Sequence, residues 1–563
     1  MTRDVSCPDI EAERARHGIP GMAVAVVNAD GLVHSRGFGR TSSREDADEV
    51  TPETVFRLGS VTKPLTATTL LRLHDRGAVD LDLPVADVLP ALLGTGYPSA
   101  GRITPRMLLG HTAGLPHDFF PTGGGDPADL PDAVLRSLRA YGPVAPPGTA
   151  YSYSNPGYDL AGALAAAAAG TPFPELVAEL VLRPLGMTST TFDPAVAAAL
   201  PLASGHRIDA VGKAVEEGTA DNVAHYPSGF ALSTAVDMGR FAAEQLDGGA
   251  GRRDRLLSVR SRHLAHAAHA SLFLPDGSAS TLGFHRWQWQ GRTVIGHAGD
   301  ICGYGAWLGL FPEDGVGAVL LANAIPPGFD GRSLLHRILR AHSSGAGPRR
   351  RPPVGGPPGT GRPAPADRGA LVGVYVGQAT GLVRLTAEGP DLTAEINGRR
   401  VALRATGDGR FEGDGPEEGS VVSLGFPDTA TVPTVPTAPA APAAPAAPAA
   451  RLMVDGELCE RFDETRLTTP DPDDLARYTG TYTRVDEVSV FVRAGELFLH
   501  SQEDLREFRC TPLTRTMFAF EGGVIEFMVD ESGRAGAIRA RNAVTLHRTG
   551  ARPCAVPATG GGR

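Results

Sequence analysis

The sequence predicts an α+β protein: an antiparallel sheet drawn from both ends of a large first domain with helices inserted between, then two small antiparallel β-barrels. Three observations predict it. Short β-type runs open the chain and return at 283–324, on either side of a helix-rich middle. Residues 343–367 are rich in proline, glycine and arginine without periodicity, the composition of a linker. Beyond them short alternating strands run in two series, the second opened by Arg477-Tyr478-Thr479-Gly480-Thr481-Tyr482, an echo of Leu371-Val372-Gly373-Val374-Tyr375.

In chain order, 21–27 and 32–37 are β-type runs joined by the turn residues Asn28-Ala29-Asp30-Gly31, which makes a hairpin. From Leu65 to Leu73 apolar residues recur at helical spacing, and Gly77 marks the stop. Pro64 has no N–H and is tolerated only in a first turn, so this helix starts close to Ser60. A helix start at 102–109 runs into Gly110-His111-Thr112-Ala113-Gly114, which mimics a nucleophile elbow; with no strand before it, it reads as a structural turn. Residues 147–158 read as a polar loop ahead of an alanine-rich helix at 159–169. Thr171 as N-cap with Pro172 in the first helical position opens a helix through Leu185, and Thr234 with Asp237 forms a capping box for a helix through Leu246. Strands are expected at 284–290, 293–296, 306–311 and 317–322, with Gly296 to Gly305 between the second and third, and an amphipathic helix at 333–342 closes the domain. The expected domains are 1–342, a linker at 343–367, a barrel at 368–467 interrupted by an extended Pro-Ala repeat at 429–450, a second barrel at 471–550 and a tail at 551–563.

A chain of 563 residues, 42% of them apolar, has room for three or four domains. The net charge of −10, of mixed sign, gives no reason to expect nucleic acid or an anionic membrane as partner. No apolar run of signal-peptide length lies in 1–13 and no uninterrupted apolar stretch could span a bilayer, so a soluble cytoplasmic protein is expected. The cysteines (Cys7, Cys302, Cys459, Cys510, Cys554) are odd in number and scattered, which suggests neither a disulfide framework nor a zinc site. His263, His266 and His269 are too widely spread around a helix to share a metal and have no acidic partner nearby, so no metal or cofactor is expected. Met22, Trp287, Trp289 and Trp307 read as core or strand faces.

The chemistry begins at Phe56-Arg57-Leu58-Gly59-Ser60-Val61-Thr62-Lys63-Pro64. Positions three apart on a first turn share a face, so the Lys63 amine can reach the Ser60 hydroxyl, a nucleophile beside a candidate base. Lysine serves as base only when its surroundings favour the neutral amine, so the pair belongs in a walled cleft. Lys63 and Lys213 are the only lysines in the chain, every other basic side chain being arginine or histidine. Arginine stays charged and cannot take the serine proton, so Lys63 has a task that arginine cannot fill. By itself a serine and lysine at this spacing could equally be a surface coincidence.

Two further segments follow in order, Tyr153-x-Asn155 and His297-x-Gly299. With Ser60-x-x-Lys63 they make the sequence resemble the serine β-lactamase and penicillin-binding-protein superfamily, in particular its class C, D-aminopeptidase and esterase branch, over residues 15–342. The framing segments from Ile103-Thr104 to Pro116, Pro147-Gly148, and Pro227-Ser228-Gly229 to Asp237 share the resemblance. It implies a β-lactamase/transpeptidase-like catalytic domain and lipocalin-like barrels. It implies Ser60 as acylated nucleophile, Lys63 and Tyr153 sharing its proton, and Asn155 holding the lysine and the substrate amide. His297, where many relatives carry the lysine of a K-T-G triplet, would support Tyr153 electrostatically from an edge strand. Gly299 would keep that strand bare for substrate, and the backbone N–H groups of Ser60 and Asp300 would form the oxyanion hole.

Two departures demote cell-wall work: no export signal is seen, and histidine in the third motif fits D-aminopeptidases and esterases, although some exported carboxypeptidases share it. The expected function is a serine hydrolase acting through a Ser60 acyl-enzyme on small peptides or amides with a D-residue at the scissile bond. The alternatives are an esterase or transacylase acting on ester substrates, and a penicillin-binding-protein-like thioesterase that macrocyclises nonribosomal peptides. From a different class comes a non-catalytic binding scaffold that uses its barrels for recognition.

Overall fold

The computed structural model describes residues 8–117, 125–139, 142–209, 212–218, 221–246, 256–343, 368–377, 380–388, 391–406, 410–415, 421–426, 451–468, 470–483, 487–501, 506–520, 523–530, 534–540 and 545–548. The expected linker beyond residue 343, the Pro-Ala repeat and the tail lie outside them. Two compact units are present, one holding a large sheet with its helices and the other the barrels.

In the first unit the sheet comprises β1 (Gly21–Asn28), β2 (Gly31–Gly39), β3 (Ala270–Ser271), β4 (Ala279–Ser280), β5 (His285–Trp289), β6 (Arg292–Ile301), β7 (Tyr304–Phe311) and β8 (Val316–Ala322). Their spatial order is β2-β1-β8-β7-β6-β5-β4-β3, and Met22 of β1 lies opposite Ala322 of β8, so both ends of the domain build one sheet. The principal helices are α1 (Thr62–Asp75), α2 (Asn155–Ala169), α3 (Ala235–Gln245) and α4 (Gly331–His342). From Met22 to Val27, β1 is buried on both faces, which is why it reads as an unbroken apolar run. One face, with Met22, Val24 and Val26, packs in a core with Leu334, Leu335, Ile338 and Leu339 of α4. On the other, α3 approaches so closely that a Cβ on its Gly239 would lie 3.2 Å from that of Ala25.

Tight turns set the hairpins that matter for the site. Gln290 and Gly291 (φ +48° and +75°) join β5 to β6, and Cys302 and Gly303 (φ +45° and +76°) join β6 to β7. Two successive left-handed residues give the turn whose twist matches flanking antiparallel strands. Strand β6 therefore runs on past Gly296, where the sequence suggests it ends, through His297 to Ile301. Its first half, Arg292 to Gly296, pairs with β5, and from Ile295 onward it pairs with β7. Its second half pairs with β7 on one side and lays the other edge against the start of α1.

Other elements differ from the sequence expectation for local reasons. Helix α2 begins at Asn155, four residues earlier than the alanine-rich run, because the Ser154 hydroxyl accepts from the Gly157 N–H (2.9 Å) and Pro156 fits a first turn. Pro172, not Thr171, is the N-cap residue of the helix at Phe173–Val177; the Thr171 hydroxyl turns back to the Ala169 carbonyl. That helix passes through a π turn at Ala178–Leu182, just before Pro184, which has no N–H to extend an α-helical ladder. Thr234 caps α3 by accepting from the Asp237 N–H (3.1 Å), but the Asp237 carboxylate does not return the bond. It accepts instead from Thr190, Ser189 and Arg240. Strands β3 and β4 are two residues each, too short to leave a periodic trace.

The second unit holds two closed antiparallel barrels of eight strands, from Gly373–Gly377 to Glu457–Phe462 and from Gly480–Thr483 to Thr545–Arg548. The sequence echo is one corner used twice. The Tyr375 hydroxyl donates to the Leu371 carbonyl and the Tyr482 hydroxyl to the Tyr478 carbonyl, each at 2.7 Å. The barrels pack through Val374, Val376 and Phe462 of the first against Leu513, Ala519 and Val524 of the second.

Candidate active site

Ser60 sits in a 3-10 turn at Gly59–Val61 that leads into α1, and Lys63 lies one turn on, fully buried. The Lys63 Nζ is hydrogen-bonded to Ser60 Oγ at 2.9 Å, to Asn155 Oδ1 at 2.6 Å and to the Ser228 carbonyl at 2.8 Å. An ammonium uses three donors in this arrangement; a neutral amine uses two and turns its lone pair to the third partner. Asn155 reaches the amine because α2 starts at that residue, and Ser228 because Thr66 of α1 donates to the neighbouring Pro227 carbonyl (2.7 Å). The Tyr153 ring lies beside the same amine, its centroid 4.8 Å from Nζ.

Gly299 and Asp300 on β6 meet the Ser60 turn backbone to backbone. A Cβ on Gly299 would lie 2.3 Å from the Leu58 carbonyl oxygen and 2.6 Å from the Ser60 nitrogen. Gly59 has φ +50°, and a Cβ there would lie 2.7 Å from the Asp300 nitrogen. Any side chain at either glycine would push the strand off the serine, so the motif glycine is demanded by close approach. The backbone of Asp300 is thereby held beside the residue that precedes Ser60.

His297 is buried, 6.2 Å from Tyr153 between ring centroids. Its Nδ1 donates to the Ala298 carbonyl at 2.6 Å, which leaves Nε2 as the acceptor when the ring is neutral. Burial, with His285 and Lys63 close by, holds its pKa well below the ordinary value, so the ring is neutral at pH 7. All seven residues singled out in the sequence, Ser60, Lys63, Tyr153, Asn155, His297, Gly299 and Asp300, thus come together around one point.

The structure adds residues that the sequence reading passed over. His111, in the segment read as a structural turn, has φ +59° and stacks on Tyr153 at 4.4 Å, while its Nδ1 accepts from the Ser154 N–H (3.0 Å). The segment is a turn, and it also braces the tyrosine. His285 lies 5.0 Å from His297 and 6.1 Å from Tyr153, with the Tyr151 hydroxyl 3.1 Å from its Nε2. Burial and the neighbouring Lys63 lower its pKa to about 4. A signal for His285 was present: a two-residue turn at Gln290-Gly291 pairs position 285 with 296, beside the motif histidine. Among the described residues no group of three metal-ligating side chains converges.

Residues 9–343 match the β-lactamase family. The chain belongs to that family. It is 32% identical over 377 residues to penicillin-binding protein 4 of Amycolatopsis lactamdurans, a match covering 65% of this chain and 95% of that one. It is 30% identical over 342 residues to the unguisins hydrolase ungD' of Aspergillus campestris, 58% of this chain and 62% of the relative. The crystal structure of SurE superposes with a TM-score of 0.60 at 26% identity, over 80% of this chain and 97% of SurE. The catalytic fold and the barrels thus belong to a serine hydrolase of the β-lactamase and penicillin-binding-protein type.

Proposed function

We propose that the protein is a serine hydrolase that forms an acyl-enzyme on Ser60, with peptides or amides bearing a D-residue at the scissile bond as substrates. The observation that carries the proposal is the Lys63 amine, fully buried and bonded to Ser60, Asn155 and Ser228. With its proton lost, Nζ donates to Asn155 and Ser228 and points its lone pair at Ser60 Oγ. Ser60 Oγ attacks the substrate carbonyl carbon and its proton passes to Nζ. The new oxyanion takes hydrogen bonds from the Ser60 and Asp300 N–H groups. Tyr153, between Lys63 and His297, relays the proton to the leaving amine as the C–N bond breaks. Water then adds to the acyl-enzyme, giving one of its protons to Lys63, and collapse frees the acid as that proton passes to Ser60 Oγ. Neutral His297, its ring 6.2 Å from that of Tyr153, adds no second positive charge next to Lys63.

An unguisins hydrolase among the relatives supports hydrolysis, and a D-alanyl-D-alanine-carboxypeptidase/endopeptidase, AmpH of Escherichia coli, supports a peptide as its object. A second reading keeps the acyl-enzyme and changes the acceptor from water to an internal amine, which closes a ring. The barrels fit both readings: two of them after the catalytic domain match the D-aminopeptidases that the sequence resembles, and the peptide cyclases that it resembles also carry a barrel-like C-terminal domain.

The test is intact-mass analysis of the native protein and Ser60→Ala after mixing with a D-residue peptide thioester and the matching amide. A mass gain confined to the native protein supports the acyl-enzyme, and the linear or cyclic form of the product separates hydrolase from cyclase. Silence towards both, and towards a simple acyl ester, defeats the proposal.

A further inference from the structure

His285 lies next to the motif residues and the scheme above gives it no task. It is partly buried, with its Nε2 3.1 Å from the Tyr151 hydroxyl. Tyr151 is buried, and its hydroxyl has no other hydrogen-bond partner among the described residues. A buried phenol keeps its proton satisfied, and here the one acceptor in reach is the imidazole, so the phenol donates to Nε2. Burial also pushes the Tyr151 pKa upward, which keeps that proton on the oxygen. The bond fixes the tautomer: in the neutral ring Nε2 accepts and Nδ1 carries the hydrogen.

Nδ1 has no hydrogen-bond partner among the described residues and is not sealed from solvent. Its ring faces His297 at 5.0 Å and Tyr153 at 6.1 Å. A neutral donor of fixed tautomer is therefore left beside the motif residues His297 and Tyr153, where a peptide substrate brings backbone carbonyls and where His297, with its Nδ1–H already given to Ala298, has no second hydrogen to offer.

We propose that His285 is a substrate-binding residue whose Nδ1–H, aimed by the Tyr151 hydroxyl, donates to a carbonyl oxygen of the acyl chain beyond the scissile bond. The class of ligand is a peptide with at least one amide on the acyl side. A charged imidazolium would also donate, but it would bring a second cation to Lys63; the Tyr151 bond yields the donor without the charge. This inference rests on the acyl-enzyme reading.

Its test compares two activated esters in the native enzyme, His285→Ala, His285→Gln and Tyr151→Phe: a D-residue dipeptide ester, and an acetyl ester that has no carbonyl beyond the scissile one. Loss of one hydrogen bond predicts a fall of about tenfold in kcat/KM for the dipeptide ester in His285→Ala, carried by KM. The acetyl ester should lose only a small part of that, so that the loss is selective for the longer substrate. His285→Gln, which keeps an N–H donor, should restore part of the loss, and Tyr151→Phe should show an intermediate loss. The 15N shifts of the His285 ring should report hydrogen on Nδ1 in the native protein and a mixture in Tyr151→Phe. Equal losses on both esters, no loss on either, or hydrogen on Nε2 in the native protein would overturn the proposal while leaving Ser60 as nucleophile. Absence of any Ser60 adduct with either ester in the native protein would overturn the acyl-enzyme reading, and the His285 proposal with it.

Discussion

Gly299 and Ser60 touch through bare backbone: a methyl group on the glycine would lie 2.6 Å from the serine nitrogen. No side-chain adjustment can relieve a contact between two main chains. Gly299→Ala is therefore expected to cost at least about 2 kcal/mol of stability and to remove activity, because relief requires the strand to leave the serine. Thermal unfolding and single-turnover acylation of the variant check both. An alanine variant with native melting and native acylation would mean that β6 leaves room for a methyl group between Gly299 and the Ser60 nitrogen.

Lys63→Arg keeps the positive charge and most of the volume but loses the capacity to release and retake a proton. The acylation rate should drop by about 10²- to 10⁴-fold, the usual range for losing a general base, and Lys63→Met should fall as far. Stopped-flow acylation with a chromogenic ester measures it. Arginine at near-native rate would transfer the base role to Tyr153 alone.

Histidines whose charged form is disfavoured by desolvation shape the acid side of the stability profile. His269, His285 and His336 each have a pKa lowered to about 4, chiefly by burial. His336 must stay unprotonated at Nε2, which accepts from the Trp287 indole N–H at 3.1 Å. The unfolded chain takes up these protons near pH 6.5 and the folded one near pH 4, so the stability they support is complete above pH 6.5 and is lost as pH falls from there to about 4. Each contributes a slope of up to about 1.4 kcal/mol per pH unit. Denaturant midpoints between pH 4 and 8 should show the decline, and His269→Gln should make it shallower. A profile that stays flat down to pH 4 would contradict it.

The paired corners predict a paired cost. Tyr375→Phe and Tyr482→Phe each remove one buried hydroxyl bond to a carbonyl four residues back, and each should destabilise the barrel unit by about 1 kcal/mol while leaving acylation of a small ester unchanged. Melting curves followed together with ester turnover separate the two effects.

The strands Val421–Gly425 and Arg451–Val454 are direct neighbours, with Gly425 opposite Met453. The chain between them therefore spans a gap that a short turn can close. Replacing 431–449 by a few glycine and serine residues should leave the barrel folded; loss of the fold would show that the repeat takes part in it.

The site was legible in the sequence where chemistry fixes residue type and spacing. Ser60 and Lys63 are neighbours on one turn, and the order of Tyr153, Asn155 and His297 identified the rest. His111 was not legible as a site residue, because its place is set by a left-handed turn whose contacts are distant in sequence; His285 was legible only through the register of the Gln290-Gly291 hairpin, which sets it beside Gly296. Boundaries failed where local capping outweighed periodicity, as at Ser154, which starts α2 before its alanine run. The double barrel was legible because its corner tyrosine and glycine repeat; the two-residue strands β3 and β4 exist only through their neighbours' hydrogen bonds.

The sheet assembled from both ends of the first domain has a consequence for synthesis on the ribosome. Ser60 and Lys63 emerge early, and Gly299, the residue that lies against the serine, follows Ser60 by 239 positions. Until β6 and β8 have been made, β1 has no partner on its inner edge and the serine has no strand beside it. The nascent Ser60–Lys63 turn thus lacks its facing strand until late in synthesis, and the candidate site is assembled only when the C-terminal strands dock on the opening hairpin.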